Sequence, residues 1–305
     1  MDEHNKGREA PKDFPMSRVL LFGVMGVGCL GLLIFVGVGG IGLYFLLRKD
    51  TAARQQEPNQ PAGNPKQPGM GREVTKQLDD QDKAVAAIKQ LGGSVTRAGN
   101  QAHGPVVLVD LGGKNLTNAD LAVLERLPHL QQLYLGNTGI TDAGLAHVKG
   151  LASLALLDVS ANAGITDAGL GNVVGLVKLQ QIMFSNTGIS DEGLMHLKGL
   201  PELVQVYAGT KNLTDGGLVH LKSLTKLKAL SIGYSKITDA GLVNLKGMTQ
   251  LTFLVLDDTQ VSDDGLIHLK GLSNLQTLRA SRTRVTNAGA SELSKALPSV
   301  NVILN

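Results

Sequence analysis

The sequence predicts an α/β solenoid built from one repeated strand–turn–helix unit. Nearly the same segment, LQQLYLGNTGITDAGLAHVKGL at residues 130–151, recurs every 24 or 25 residues. Self-similarity at a fixed period of this length is typical of stacked repeats. One unit alone buries too few apolar side chains to offset the entropy of ordering its backbone, so neighbouring units must share a core. The copies begin at Val106 (a degenerate one), Leu130, Leu154, Leu179, Leu203, Leu227, Leu251 and Leu275.

Each copy opens with a strand pattern. Leu133 and Leu135 are spaced by two, so both side chains point to one face, while Gln132 and Tyr134 belong to the other. Three positions after the last inward residue comes a polar side chain that can bond the backbone of the turn leaving the strand. This position holds Thr138, Asn162, Thr187, Lys211, Ser235, Thr259 and Thr283.

Each copy then continues with a helix start. A Thr or Ser stands where a helix N-cap belongs, and Asp follows it in six of seven copies. Apolar residues then recur with three-residue spacing, as at Leu145, Val148 and Leu151, and form the inner face of a short helix. The N-cap position holds Thr141, Thr166, Ser190, Thr214, Thr238, Ser262 and Thr286.

This repeated pattern resembles the leucine-rich repeat family. The resemblance covers residues 106–297 and implies a right-handed, horseshoe-shaped solenoid with a parallel sheet on the concave side and helices on the convex side. The T-D-x-G-L helix start is similar to repeats in membrane-anchored bacterial proteins and in F-box adaptor proteins. The copy that begins at Leu154 carries one extra residue, which predicts a bulge in the strand ladder at residues 162–164.

Before the repeats, the sequence predicts a membrane anchor. Residues 1–17 form a polar tail, and residues 19–47 contain no charge, so we expect a transmembrane helix over 18–48. A cleavable signal peptide is one alternative, although its apolar part is usually shorter and ends in a small-residue cleavage site. A lipoprotein signal ending at Cys29 is another, but eighteen further uncharged residues follow that cysteine.

Three further regions complete the predicted domain organisation. Residues 49–73 are rich in Pro, Gln and Asn and predict a flexible linker. Residues 74–105 combine a helical pattern with a strand and predict an N-terminal cap, which a solenoid needs at its open edge. About eight repeats follow over 106–297, and residues 298–305 predict a closing strand.

The orientation of the anchor does not follow from the flanking charge. Four Lys or Arg residues lie on each side of the uncharged stretch, so the positive-inside rule favours neither direction. A short N-terminal tail in the cytoplasm with an exported C-terminal domain is the commoner arrangement. We therefore expect a single-pass protein with an extracytoplasmic repeat domain.

Charge and motifs argue against several classes of function. From Glu73 onward the chain has 20 Lys and Arg against 20 Asp and Glu, so no basic surface for nucleic acid is expected. No nucleophile is paired with a base and an orienting acid, which predicts a non-enzyme without cofactor or small-molecule substrate. A column of histidines (His147, His196, His220, His268) alternates with Asn at the same repeat position, which favours a structural role over a metal site.

The outward strand positions predict a binding surface. Aromatic residues and Met are mixed there with Gln and Asp, a composition typical of protein interfaces. The candidate residues are Tyr134, Asp158, Met183, Tyr207, Tyr234, Phe253, Asp257 and Arg279. The plain alternative is a sheet face that tolerates such residues without a partner.

These observations predict a membrane-anchored module that binds a protein or peptide on its concave face, with residues 19–47 in the membrane. One alternative is an envelope structural protein that assembles with itself. The other is a substrate adaptor for ubiquitin transfer, although no F-box helices precede the repeats.

Overall fold

A computed structural model of the chain describes residues 32–37, 40–45, 70–101 and 103–304. Contacts divide the chain into two units, residues 1–62 and residues 63–305. In the first unit, strands β1 (Leu32–Gly37) and β2 (Gly40–Phe45) pair antiparallel, with Leu32 opposite Phe45 and Gly37 opposite Gly40.

The predicted transmembrane helix over 18–48 is not found where the structure describes this stretch. Both described segments are strands, and within the described part of the chain no helix is long and apolar enough to cross a membrane. The sequence offers a physical reason, because glycine and β-branched residues, as in Gly37, Gly40 and Ile41, are weak helix formers. The rest of the predicted helix, the polar tail over 1–17 and most of the linker over 49–73 lie outside the described residues.

The first described elements of the second unit are helix α1 (Met70–Gln90) and a hairpin. Strand β3 (Ser94–Arg97) pairs antiparallel with β4 (Val106–Asp110), the first strand of the repeats. Ala84 and Ile88 of α1 are fully buried against the same core as the repeats. The helix and hairpin thus cover the apolar interior at the first edge of the solenoid.

From β4 onward, every strand of the described repeats pairs parallel with its neighbours in chain order. The pairing is regular, with Leu133 opposite Leu157 and Leu157 opposite Ile182. The remaining strands are β5 (Gln132–Tyr134), β6 (Leu156–Asp158), β7 (Gln181–Met183), β8 (Gln205–Tyr207), β9 (Ala229–Ser231), β10 (Phe253–Val255), β11 (Thr277–Arg279) and the closing strand β12 (Asn301–Ile303).

A short helical segment follows most strands. Five of these segments are one α-helical turn followed by a 3₁₀ turn, whereas the repeats at Asn118–Arg126 and Gly193–Gly199 are 3₁₀ throughout. The α-helices are α2 (Asp142–Leu145), α3 (Asp167–Leu170), α4 (Asp215–Leu218), α5 (Asp239–Leu242), α6 (Asp263–Leu266) and the longer α7 (Asn287–Ala296).

The prediction of a parallel α/β solenoid is therefore confirmed. The repeated leucines form one continuous core, in which Leu130, Leu133 and Leu135 are fully buried. Phe184 is the largest fully buried side chain, at the inward position the pattern assigns to it. The polar position after the strand behaves as predicted in six of the seven repeats, as where Thr138 Oγ1 donates to Leu135 O at 2.8 Å and Ser235 Oγ donates to Ile232 O at 2.6 Å. Lys211 is the exception, because it is exposed.

The predicted bulge at residues 162–164 is not in the strand ladder. β6 keeps the same register with both neighbours, and the extra residue is accommodated in the turn after Asn162. Asn162 is buried, donates from Nδ2 to Leu135 O at 2.8 Å, and accepts at Oδ1 from Gly139 N at 2.8 Å. A side chain that bonds the backbone of the preceding turn can absorb an insertion without shifting the strands.

The Thr–Asp pair at each helix start joins successive repeats. We name this set the helix-start row. Thr238 donates from N to Asp215 Oδ1 at 2.8 Å and from Oγ1 to Asp215 Oδ2 at 2.6 Å, and Asp215 belongs to the preceding repeat. The same two bonds join Thr166 to Asp142, Ser190 to Asp167, Thr214 to Asp191, Ser262 to Asp239 and Thr286 to Asp263.

The glycine of the T-D-x-G sequence makes room for that carboxylate. A Cβ on Gly241 would lie 2.2 Å from Asp215 Oδ1, and one on Gly289 would lie 2.0 Å from Asp263 Oδ1. The predicted N-cap bond from the Thr side chain to its own helix is weak by comparison, with Thr214 Oγ1 accepting from Gly216 N at 3.3 Å. The helix-start hydroxyl therefore stabilises the stack of repeats more than its own helix.

Candidate binding surface

The sheet has one face that points away from the helices, which we name the open sheet face. Its central row runs in register across seven strands, one residue from each. Adjacent strands lie about 4.8 Å apart, so neighbouring side chains in the row touch. The row reads Tyr134, Asp158, Met183, Tyr207, Ser231, Val255 and Arg279.

The apolar members of this row are far less exposed than the sequence predicted. In the full-length chain only 9% of Tyr134, 5% of Met183 and 5% of Tyr207 remains exposed. The two tyrosines also bond within their own strands, since Tyr207 Oη donates to Gln205 Oε1 at 3.2 Å. Burial raises the pKa of the Tyr207 hydroxyl. Period-two patterning identifies the face on which a side chain lies but not how its neighbours cover it.

Asp158 is a polar member of the row and is also partly buried. Burial raises the pKa of its carboxyl group, and the nearby Asp110 adds to this effect. Oδ1 accepts a hydrogen bond from Ser160 N at 2.9 Å, which acts in the opposite direction. Two carboxylates close together on the N-terminal part of the open sheet face make it less favourable for a negatively charged ligand.

Asp257 and Arg279 bind each other at the C-terminal end of the row. Arg279 Nη2 lies 2.7 Å from Asp257 Oδ2, and Asp257 Oδ1 accepts from Ser281 N at 2.8 Å. The sequence placed Asp257 at a strand end facing solvent, but it is only 2% exposed. That expectation was wrong, because Arg279 and Ser281 of the next repeat bind both oxygens of this carboxylate. Phe253, on the same strand, is half-buried.

A second row lies where the chain leaves each strand, three residues beyond the strand's end. We name it the exit rim. Its members adopt positive φ angles near 55°, a left-handed conformation that Asn and Asp tolerate better than other residues with a side chain. The repeat containing β8 departs from this pattern, with Thr210 at the same place. The members are Asn137, Ala161, Asn186, Tyr234, Asp258 and Arg282.

The last three members of the exit rim form a bonded cluster. Arg282 Nε donates to Asp258 Oδ1 at 2.7 Å, and Nη2 donates to Tyr234 Oη at 3.1 Å and to the other Asp258 oxygen. The guanidinium carbon lies 5.9 Å from the centroid of the Tyr234 ring, within range of a cation–π contact. Tyr234 is nonetheless 58% exposed, so the cluster presents a fixed aromatic ring to solvent.

A shallow groove of about 570 Å³ runs beside Tyr234. The repeat containing β8 shapes it, because Thr210 is buried and its Oγ1 donates to Ile189 O, while Lys211 is exposed in the place where four other repeats carry a buried hydroxyl. The groove therefore combines an aromatic ring with two lysines. It is lined by Ala163, Asn186, Thr187, Lys211, Tyr234, Ser235, Lys236 and Asp258.

The structure thus separates the eight candidate residues into four environments. Met183, Tyr207 and Tyr134 are largely covered, and Asp257 and Arg279 are paired. Asp158 and Phe253 are half-buried, and only Tyr234 among the candidates is prominently exposed. Sequence reasoning missed Asp258 and Arg282 as partners of Tyr234. A usable signal was present, since a Tyr and an Arg occupy a turn position where other repeats carry Asn.

Neither a metal centre nor a catalytic arrangement emerges within the described residues. They contain no group of three or more His, Cys, Asp and Glu side chains placed to hold a metal ion. In the predicted histidine column, His147 Nδ1 lies 2.6 Å from Glu125 Oε1, while Asn244 Nδ2 donates to Gly241 O at 3.0 Å. At these two positions the side chains of the column therefore form hydrogen bonds, one to the preceding repeat and one within its own repeat.

Comparisons with known proteins agree with this architecture. The family profile described as Leucine Rich repeat matches residues 126–146 and 223–246. The chain is also similar to the crystal structure of an internalin C2 from Listeria monocytogenes, with a TM-score of 0.53, 24% sequence identity, and coverage of 73% of this chain and 92% of that one. A search of curated proteins finds no match. Residues 126–146 and 223–246 thus match the leucine-rich-repeat profile, and the fold is that of a leucine-rich-repeat solenoid.

Proposed function

We propose that this protein is a binding module that holds a protein or peptide partner at the exit rim and the adjoining part of the open sheet face. The observation that carries the proposal is the exposed ring of Tyr234, fixed by Arg282 and standing beside an open groove. Tyrosine and arginine are the residues most enriched at the energetic centres of protein interfaces. A ring that is already held in place loses little conformational entropy on binding.

Backbone strain at the same residue supports this proposal. A positive φ costs free energy for a bulky side chain, and Tyr234 adopts one. Asn would adopt the same conformation at a lower cost. Strain of this kind persists when the surrounding structure enforces it, and it clusters at functional sites. Lys211 and Lys236 border the ring, so a partner with a carboxylate near its aromatic or aliphatic anchor fits the groove best.

We test the site with a photo-reactive amino acid that replaces Tyr234 in the full-length chain, expressed in its native cells. Position 234 should cross-link a second, different protein, and position 250, an exposed glutamine outside the groove, should not. The additional change Arg282→Ala should weaken the cross-link several-fold, because it frees the residue at 234 from its support. Equal cross-linking at 234 and 250, or none at 234, would contradict the proposal. Cross-links only to other copies of this chain would favour self-assembly instead.

We also propose that residues 19–47 attach the repeats to a membrane. The support is the sequence, since 29 successive residues carry no charge. The chain should remain with the membrane fraction after washing at alkaline pH, and deletion of residues 19–47 should release it. Release of the undeleted chain by the wash would refute stable attachment.

An extracytoplasmic position of the repeat domain is the corresponding proposal for location. A reporter enzyme that is active only outside the cytoplasm, fused after Asn305, should be active. Activity of a reporter that works only in the cytoplasm, fused at the same position, would show the opposite orientation. It would then favour an adaptor at the inner face of the membrane.

A further inference from the structure

The helix side of the solenoid carries a row of exposed apolar side chains that the exit-rim site does not use. Met195, Val219, Val243 and Ile267 occupy the same position in four successive repeats. Their exposed fractions are 51%, 48%, 42% and 57%, high for residues of this type. We name this set the apolar row.

The exposure of the apolar row follows from the geometry of the helical turns. The leucine before each member and the leucine two residues after it are buried, as Leu242 and Leu245 are around Val243. Residues spaced by three share a side of a 3₁₀ turn, so the residue between two inward leucines points outward. The core therefore does not need an apolar side chain at this position, and the first repeats carry Ala146 and Gly171 there.

A row of lysines runs parallel to the apolar row. One turn beyond each member lies an exposed lysine, and Lys246 N donates to Val243 O at 3.5 Å within that turn. Within the described residues, lysine ion pairs form at Lys226 and Lys295 but at none of these four. The lysine row consists of Lys198, Lys222, Lys246 and Lys270.

Opposing charge is concentrated at the two ends of this surface. One turn before the apolar row, Glu192 and Asp264 are exposed at the outer positions, whereas the two middle positions hold Gly216 and Ala240. Lys270 also lies close to Glu292, whose pKa is lowered first by its bond to Lys295 and then by Lys270. The net positive charge is therefore greatest around Lys222 and Lys246.

The surface beside the lysines is open. Three of the lysines are followed by Gly199, Gly247 and Gly271, and a Cβ placed on any of these glycines would meet nothing within 4 Å. No side chain from a neighbouring repeat lies within 4 Å of these three positions. A broad, flat partner can approach both rows together.

We propose that the apolar row and the lysine row form a surface that docks onto an anionic lipid bilayer. Aliphatic side chains insert at the level of the headgroups, and the neighbouring ammonium groups pair with lipid phosphates or carboxylates. Protein interfaces favour aromatic residues and Arg and are depleted in Lys, the reverse of what these rows contain. A second copy of the chain would bring two lysine rows together, which like-charge repulsion opposes.

The test uses the full-length chain reconstituted into bilayers. In a Cys29→Ser background, Val243→Cys carries an environment-sensitive fluorophore, and Lys236→Cys carries it at a control position beside the exit rim. Bilayers of phosphatidylcholine alone are compared with bilayers that also contain phosphatidylserine, with brominated acyl chains as quenchers. We expect quenching at position 243 only with phosphatidylserine, and no quenching at position 236.

Charge variants separate this docking from attachment through any other segment. Lys222→Glu with Lys246→Glu should lower the docking constant by about tenfold or more, because each lysine near an anionic surface is worth on the order of 1 kcal/mol. Lys211→Glu with Lys236→Glu changes the net charge equally at the exit rim and should leave quenching at position 243 unchanged. That pattern would support the proposal.

Three results would overturn it. The first is an absence of quenching at position 243 in phosphatidylserine bilayers. The second is equal quenching in both bilayers, which would show that negative charge is not recognised. The third is protection of the fluorophore without lipid, by polyglutamate or by concentration-dependent self-association, which would assign the surface to an acidic protein or to a second copy.

Discussion

The helix-start row and the exit rim belong to the same repeats but use their polar residues in opposite ways. In the helix-start row, Asp, Thr and Gly recur almost without change, and each Asp accepts two hydrogen bonds from the next repeat. In the exit rim the residue type changes from repeat to repeat, and Tyr234 and Arg282 bond each other across two repeats. A residue that recurs in the repeats and bonds the next repeat supports the fold itself. A residue that varies from repeat to repeat and is exposed is available to contact another molecule.

This difference can be expressed in free energy. Each helix-start contact recurs about every 24 residues, so one substitution there weakens a single interface between two repeats. Strain in the exit rim costs stability at one position, and the side-chain bonds between neighbouring turns of the rim lie at the exposed surface. We therefore expect substitutions in the helix-start row to destabilise the fold, and well-chosen substitutions in the exit rim to leave it intact.

The largest effect is expected for Gly241→Ala. The new Cβ would lie 2.2 Å from Asp215 Oδ1, so the carboxylate must leave its bonds to Thr238 or the helix must move. Overpacking and the lost bonds together should lower the free energy of unfolding by about 3 kcal/mol or more. Denaturant titration of the full-length chain, followed by circular dichroism, measures it.

Gly247→Ala is the matched control for that prediction. It lies in the same repeat, and its Cβ would meet nothing within 4 Å. Its free energy of unfolding should stay within about 0.5 kcal/mol of that of the original chain, as for most surface substitutions. Equal midpoints for the two variants would show that the carboxylate does not confine the glycine.

A smaller loss is expected for Asp215→Ala, about 1.5 kcal/mol, because two hydrogen bonds to a charged acceptor disappear. Asp215→Asn should recover much of this loss. Asn118 already stands at this position in the first repeat, where its Oδ1 accepts from Thr141 N and its Nδ2 donates to Thr141 Oγ1, both at 2.9 Å. Asp264→Asn, at an exposed neighbouring site, is the control and should be nearly silent. A similar cost for Asp215→Asn and Asp215→Ala would argue against the shared role of Asp and Asn.

A pH effect should appear at Asp263. Hydrogen bonds from the backbone and side chain of Thr286 lower the pKa of this carboxyl group in the folded chain. Its contribution is therefore present above the unfolded value of about 4 and is lost as the pH falls through the lower folded value. The stability difference between the original chain and Asp263→Asn should shrink between about pH 6 and pH 3. A difference that stays constant over this range would rule out the linkage.

The smallest effect on stability is expected for Tyr234→Asn. Asn fills the same left-handed position at Asn137 and Asn186, so relief of backbone strain should offset the lost contacts with Arg282. The free energy of unfolding should change by less than about 1 kcal/mol in either direction. A large destabilisation would show that Tyr234 supports the fold. The exit rim would then not differ from the helix-start row at this position.

Much of the fold was predictable because its determinants are local and repeated. The spacing of Leu130, Leu133 and Leu135 predicts a strand with one buried face, and the hydroxyl at Thr138 predicts the bonded turn that follows. The uncharged stretch at residues 19–47 was harder to interpret. The hydropathy of such a segment indicates that it is buried away from water but does not determine its secondary structure, and the described parts of it are strands.

The candidate site was less predictable because exposure depends on neighbours that are distant in the sequence. Tyr207 and Tyr234 both belong to the predicted binding face, but one is 5% exposed and the other 58%. Tyr207 stands within a strand and is flanked on both sides, whereas Tyr234 stands at the turn. The sequence pattern places Tyr207 at an outward strand position and Tyr234 at the exit from the next strand, and it does not show how far either side chain is covered.

The repeat period, the inward leucines and the polar turn residues follow from the chain itself, because each depends on contacts within one unit and on the need of every unit to share its core. The tertiary structure alone decided that Asp215 confines Gly241, that Asp257 is buried against Arg279, and that Tyr234 is fixed by Arg282. These contacts join residues about one or two repeats apart. Their distances depend on how the repeats stack, which no single unit encodes.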